Sequence, residues 1–262
     1  MTQTQPSWQE LMLEHDQGVL VVTLNRPDSL NTLSSVLKTE LLQVLKDCQA
    51  NTDVKVVVLT GAGRAFCAGG DLNGFGRMDV VQARQHLKQI NEIVQAIRNL
   101  EKPVVAAVNG FATGAGCNLA LACDIILASS EAKFCQSFIK VGLIPDGGGT
   151  YHLPRLVGLS KAKDLIFTGR MLTAEEAETW GLVTYVYDKE VFFREVMEYA
   201  KKLAKGPGHA MALGKKLLNE SMNASFEQML ESERMAQTLC MQTSDHKEGL
   251  QAFFEKRAPN FT

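Results

Sequence analysis

The hydrophobic pattern of the chain has two regimes, and the change falls near Gly158. Before it, short apolar runs alternate with longer stretches of helical period. Val19–Leu24 is rich in β-branched residues and ends in Asn25-Arg26-Pro27, which predicts a strand entering a turn. Leu33, Val36, Leu37, Leu41, Val44, Leu45 and Cys48 recur at helical spacing. They predict a helix over Asn31–Ala50, with Ser34 as a candidate N-cap. Val54–Thr60 is an almost unbroken apolar run, the pattern of a strand covered on both faces. Val80, Leu87, Ile90, Ile93, Val94 and Ile97 give a second amphipathic helix over Asp79–Asn99. Pro103–Val108, Ala115–Cys123, Asp124–Ala128 and Lys133–Cys135 read as strand, helix, strand and short strand. This alternation predicts an α/β fold with right-handed crossovers, and a coiled, spiral arrangement fits it.

After Gly158 the helical period dominates. Ser160–Thr168, Thr173–Trp180, Glu190–Ala204, Ala210–Met222, Phe226–Cys240 and Ser244–Glu255 predict helices, with one strand-like run at Leu182–Tyr187. Lys205-Gly206-Pro207-Gly208 is the clearest break. The expected division is an α/β core over residues 1–200 and a helical C-terminal part over residues 201–262. In the last helix, Phe253 and Phe254 lie beside Lys256 and Arg257. A core edge next to a solvated charged face is the simpler account; covering a neighbouring chain is the alternative.

Composition changes this picture little. A chain of 262 residues is ample for one large domain. Hydrophobic content of 45% with 21% charged residues is ordinary for a soluble globular protein. A net charge of −2 gives no electrostatic reason to expect nucleic acid or an anionic membrane as partner. No apolar run approaches bilayer length, and no secretory signal is visible, so a cytoplasmic location is expected. The six cysteines form no C-x-x-C pair and are expected as buried, reduced thiols. The five histidines match no zinc spacing. H-E-x-x-H, a complete P-loop and G-x-S-x-G are all missing, which weighs against metalloprotease, P-loop NTPase and α/β-hydrolase chemistry.

Candidate chemistry lies in two glycine-rich loops and one aspartate. The segment 61–72 follows one apolar run, and Thr113-Gly114-Ala115-Gly116 follows another. Tight turns needing positive φ account for such glycines. The functional alternative is that each loop gives one backbone N–H to a single substrate oxygen, an oxyanion hole, with Gly70 and Ala115 as donors. Asp146 sits between Leu143-Ile144-Pro145 and three glycines. It reads either as a turn aspartate bonding its own backbone or as a desolvated carboxylate, poised to carry protons near neutral pH. Spacing leaves both readings open.

Six motifs carry a resemblance. They are LNRP at 24–27, Leu30-Asn31, GAGRAFCAGGDL at 61–72, KPVVAAVNGFATGAGCNLALACD at 102–124, GLIPDGGGT at 142–150, and the AFFEKRAPNF tail. Through them the chain resembles the crotonase superfamily, the enoyl-CoA hydratase/isomerase family, over essentially its whole length. The resemblance implies a spiral of ββα-like turns with a helical C-terminal trimerisation region. It implies a CoA thioester substrate whose carbonyl is held by the N–H groups of Gly70 and Ala115. Its CoA contacts map to Arg26 and Leu30, to the loop of Ala68, Gly69, Asp71 and Leu72, and to Phe253 and Lys256 in the tail. It implies no metal or redox cofactor, CoA being part of the substrate, and a homotrimer or dimer of trimers, or a complex with a related hydratase.

The departures from the family pattern bear on the reaction. Hydratases of this family carry two glutamates, at positions that here hold Asn118 and Phe138. An amide and a phenyl ring cannot exchange a proton with water or a carbon acid. Asp146, where hydratases usually have a small residue, looks like the branch that isomerises ring-1,2-epoxyphenylacetyl-CoA, and like some enoyl-CoA isomerases. One carboxylate suffices for isomerisation. The expectation is therefore an acyl-CoA isomerase with Asp146 as proton shuttle. Asn118 either orients substrate or water or is satisfied locally, and Phe138 is expected in the substrate pocket. The alternatives are an enoyl-CoA hydratase and a non-catalytic acyl-CoA-binding subunit. Residues 73–90 and the C-terminal helices are expected to shape the acyl pocket.

Overall fold

The computed structural model describes residues 8–72 and 75–261. In chain order the elements are β1 (Leu11–Asp16), β2 (Val19–Leu24), α1 (Ser35–Ala50), β3 (Val56–Gly61), β4 (Ala65–Cys67) and α2 (Val80–Asn99). There follow β5 (Val104–Val108), β6 (Phe111–Thr113), α3 (Ala115–Leu121), β7 (Ile125–Ser129), β8 (Lys133–Cys135), α4 (Gly149–Val157), α5 (Leu159–Thr168) and β9 (Met171–Thr173). The chain ends with α6 (Ala174–Thr179), β10 (Tyr185–Tyr187), α7 (Phe192–Ala204), α8 (Gly208–Ser221), α9 (Phe226–Cys240) and α10 (Ser244–Glu255).

The strands form two sheets, in the orders β1-β2-β3-β5-β7-β10 and β4-β6-β8-β9. Successive units β3-β4-α2, β5-β6-α3 and β7-β8 each place one strand in the large sheet and one in the small sheet. Pairing between successive units is parallel in both sheets. The result is the expected α/β spiral of ββα turns. Each unit cannot cover its own apolar faces, so stacking the units builds the core.

The near-continuous apolar strands are explained by burial on both faces. In β3, Val57 and Leu59 point into the main core, while Val56 and Val58 point to a second layer closed by Phe192, Val196 and Ala200 of α7. That is the two-residue side-chain period of a strand, read on a parallel sheet. Helix α1 starts as expected: the Ser34 hydroxyl accepts from the Leu37 N–H at 2.9 Å. Asn31, placed in the helix by the sequence pattern, lies outside it with φ of 57° and is fully buried. Its side-chain amide donates to the carbonyls of Ala62 and Ala65 at 2.9 and 2.8 Å, clamping the approach to the first glycine loop.

Polar contacts tie α8 to the core: the Asn219 amide donates to the Arg98 carbonyl, and the Arg98 guanidinium donates to the Asn219 carbonyl. Lys215 of α8 donates to the carbonyls of Ile97 and Lys102 and pairs with Asp124 at 2.7 Å. Beyond that anchor, α8 has no buried residue. Leu218, Phe226, Phe253 and Phe254 are all more than 70% exposed. Cys48, Cys67, Cys117, Cys123 and Cys135 are buried free thiols. No described helix is long and apolar enough to cross a membrane.

Candidate active site

The two glycine loops meet at one end of the spiral. The first leaves β4, and its Gly69 carbonyl accepts from the Leu33 N–H at 2.8 Å. The second leaves β6 and opens α3 at Ala115. Two contacts lock them together. The Thr113 hydroxyl donates to the Ala68 carbonyl at 2.9 Å. A Cβ on Gly69 would lie 2.8 Å from the Thr113 carbonyl oxygen and 3.5 Å from the Ala115 nitrogen. Only glycine permits that approach, and its φ of 102° also excludes ordinary side chains.

Gly70 and Ala115 both line a cavity of about 980 Å³. Ala115 is the first residue of α3, so its N–H has no partner within the helix. Neither the Gly70 nor the Ala115 N–H donates to a carbonyl among the described residues. Two free donors on adjoining loops can bind one oxygen that becomes negative during reaction.

Asp146 lines the same cavity. The turn that carries it depends on the three glycines for separate reasons. Gly147 and Gly148 are both left-handed, with φ of 50° and 80°. Gly149 packs on Asn118 so closely that a Cβ would lie 2.4 Å from the Asn118 amide nitrogen. Asp146 Oδ1 is buried with no hydrogen-bond partner among the described residues. Burial pushes the Asp146 carboxyl up to about 6, against smaller opposing effects from its own backbone N–H and from Lys38. A carboxylate titrating there is matched to moving protons near neutral pH.

Asn118 does not face the cavity. It is fully buried, its amide donates to the Asp146 carbonyl at 2.8 Å, and its Oδ1 accepts from Gln136 at 2.8 Å. The expectation that it orients substrate or water is corrected accordingly: both ends of its amide are used inside the protein, and it braces the Asp146 turn from behind. Phe138 lines the cavity and is 8% exposed, an apolar wall where a carboxylate was the alternative.

The remaining sequence-derived positions separate into two groups. Ala68, Gly69 and Leu72 line the cavity, and Asp71 stands beside it, electrostatically coupled to His86. Arg26, Leu30, Phe253 and Lys256 are not part of the cavity wall. Arg26 pairs with Glu10 at 3.0 Å and donates to the Thr32 carbonyl at 2.6 Å, so it secures the segment leading to the first loop. Leu30 adopts a left-handed conformation in that segment, and its carbonyl accepts from the Ala68 N–H at 2.9 Å. Phe253 and Lys256 are exposed on and just after α10. Of the stretch 73–90 expected to shape the acyl pocket, residues 73 and 74 lie outside the described residues. Met78, Ala83, Leu87 and Ile90 do line it.

Among the cavity residues outside the motifs are Lys38 and His86. Lys38 is 2% exposed, and its Nζ lies 3.4 Å from His86 Nδ1. The sequence did hold a signal for Lys38. It falls on the apolar stripe of α1, three residues before Leu41 and seven before Leu45.

Two loop N–H groups, one carboxylate and an otherwise mostly apolar cavity thus come together in one place. The comparisons with known proteins make the class definite. The family model described as Enoyl-CoA hydratase/isomerase matches residues 14–262, and the chain belongs to that family. It is 39% identical to the 1,2-epoxyphenylacetyl-CoA isomerase of Escherichia coli (strain K12), covering 97% of this chain and 98% of that protein. It is also 39% identical to the short-chain-enoyl-CoA hydratase of Clostridium acetobutylicum, covering 94% and 95% respectively. Among solved structures, an enoyl-CoA hydratase from Bacillus anthracis superposes with a TM-score of 0.93 at 36% identity, over 97% of this chain and 99% of that one. An acyl-CoA thioester is the substrate class consistent with this family.

Proposed function

We propose that the chain is an acyl-CoA isomerase in which Asp146 is the single proton shuttle and the N–H groups of Gly70 and Ala115 hold the thioester oxygen. One observation carries the reading. Asp146 is the only carboxylate among the described residues that line the cavity. Hydration needs one group to deprotonate water and a proton delivered to the neighbouring carbon. Double-bond migration needs only one group that takes a proton and returns it. For a 3-enoyl-CoA, Asp146 removes a proton from C2; the C–H electron pair forms the C1=C2 bond, the carbonyl π pair moves onto the thioester oxygen, and the C3=C4 double bond conjugates with the enolate. The resulting dienolate oxygen lies between the two N–H groups. The protonated Asp146 then returns the proton to C4, giving the 2-enoyl-CoA. The same enolate stabilisation serves opening of a ring epoxide β,γ to the thioester: loss of the α proton gives the enolate, and its collapse breaks the C–O bond at the β carbon, leaving the oxygen on the γ carbon. The chain's similarity to a relative named 1,2-epoxyphenylacetyl-CoA isomerase supports that extension.

A substrate panel tests the reading. The purified chain is expected to convert 3-enoyl-CoA to 2-enoyl-CoA and to leave crotonyl-CoA unhydrated. Rapid formation of 3-hydroxybutyryl-CoA would favour the hydratase reading, which the similarity to a short-chain-enoyl-CoA hydratase supports. Tight acyl-CoA binding without turnover of either substrate would favour a binding subunit.

A further inference from the structure

Lys38 presents a problem that the reaction above does not use. Its side chain is 2% exposed, which removes an ammonium from water. Its one direct polar contact among the described residues is His86 Nδ1 at 3.4 Å, and a neutral imidazole compensates no charge. Yet Lys38 and Asp146 line one cavity and are electrostatically coupled. We propose that Lys38 is a positioning residue for the reaction: its ammonium supplies the positive field that keeps the Asp146 carboxylate ionised inside an apolar cavity, and neutral His86 accepts one of its N–H bonds. This rests on the reading of Asp146 as the base.

The charges around Asp146 favour this assignment. From α1 comes Lys38 and from α2 His86, with Asp71 beside His86. His152, on α4, is held near a value of about 4 by burial and by Arg98 and Arg155, so it carries no charge at neutral pH. Lys140 lines the cavity from the turn before Gly142, but it is exposed and therefore screened. Burial, together with Lys38, lowers His86 from its ordinary value, which keeps its Nδ1 available as an acceptor. Lys38 is thus the buried cation sharing a cavity with a half-buried carboxylate whose Oδ1 is buried. The two stabilise each other's charged forms without touching. For a base, separation is an advantage: a tight ion pair would hold the carboxylate oxygens that must reach the substrate.

The test compares pH profiles of kcat/KM for wild type, Lys38→Met and Lys38→Arg. Lys38→Met is expected to move the acidic limb upward by about one pH unit. At pH 6 its kcat/KM falls about fivefold, while at pH 8.5 it stays within about twofold of wild type. Lys38→Arg keeps the wild-type limb. A merely packing role for the lysine stem predicts an unmoved limb in both variants and overturns the proposal. A second measurement needs no change at Lys38 and no turnover. The coupling is reciprocal, so Asp146→Asn must lower the Lys38 pKa, followed by 15Nζ NMR in wild type and variant. An identical Lys38 titration in the two proteins overturns the proposal. If Asp146→Asn is fully active, the base assignment itself fails, and the NMR titration still decides whether the charges are coupled.

Discussion

Asp146 is held in a state that costs the protein stability. Its carboxyl titrates near 6 in the fold against 3.8 ordinarily, so between those values the native state keeps a proton the unfolded chain has lost. Raising pH through that window lowers stability, and above it the loss is constant. Asp146→Asn removes the charge and keeps the shape. It is expected to be more stable than wild type at pH 7.5 by roughly 2 kcal/mol and equal to it near pH 3.5, read by urea denaturation. His152 has the opposite pH dependence, but it is common to both proteins and cancels. A wild type more stable than the variant at pH 7.5 would contradict a carboxylate whose desolvation outweighs its favourable partners.

At this scale the sequence was legible where glycine forces a geometry. For Gly70, Ala115 and Asp146 the spacing left a simple turn and a functional site both open, and it was the family resemblance that favoured the site. Asn118 was not resolved, since a polar residue at a site position says nothing about the direction of its amide. Gln136 and Asp146, which settle it, are far along the chain. His86 was invisible for the same reason: its partner sits on another helix.

At the scale of elements, the spiral stands or falls on how closely α3 can approach β4. A Cβ on Gly116 would lie 2.1 Å from the Cys67 carbonyl oxygen, a backbone atom with no room to yield. Gly116→Ala is expected to destabilise by about 3 kcal/mol, seen as a lowered thermal midpoint, and to lose activity because Ala115 shifts with the helix. An unchanged midpoint would mean that the two elements are not in contact. The long apolar strands and amphipathic helices were readable from their periods. Among the three-residue strands, β8 was read and β10 fell within a predicted run, whereas β4, β6 and β9 were not read, and two of these lie among glycines. The β1–β2 hairpin was also missed. Its turn, Gln17-Gly18, has φ of 50° and 82°, a conformation for which glutamine is a weak signal.

For the whole molecule, the C-terminal helices leave large apolar side chains uncovered. Leu218 and Phe226 are 74% and 73% exposed, and Phe253 and Phe254 are each 76% exposed. Exposed aromatics in this number mark an interaction surface. We propose that copies of the chain associate through α8–α10, as the family resemblance implies. Sedimentation velocity is expected to give a trimer or larger species, and Phe226→Glu to shift it toward monomer. A wild-type monomer at micromolar concentration would contradict this. The change to mostly helical elements after Gly158 was legible in the hydrophobic period. The anchoring of the tail through Lys215 and Asp124 was not, since nothing local marks that pair.

The central claim is that one carboxylate carries the proton. Its most direct measurement is turnover of a 3-enoyl-CoA in deuterated water by wild type and Asp146→Asn, with acyl-CoA affinity measured alongside. The account predicts 2-enoyl-CoA from wild type, with deuterium at C4 only to the extent that the proton on Asp146 exchanges with solvent before its return. It predicts about a thousandfold lower kcat from the variant, with binding retained. Full activity of Asp146→Asn, or a 3-hydroxyacyl-CoA as the main wild-type product, would contradict it.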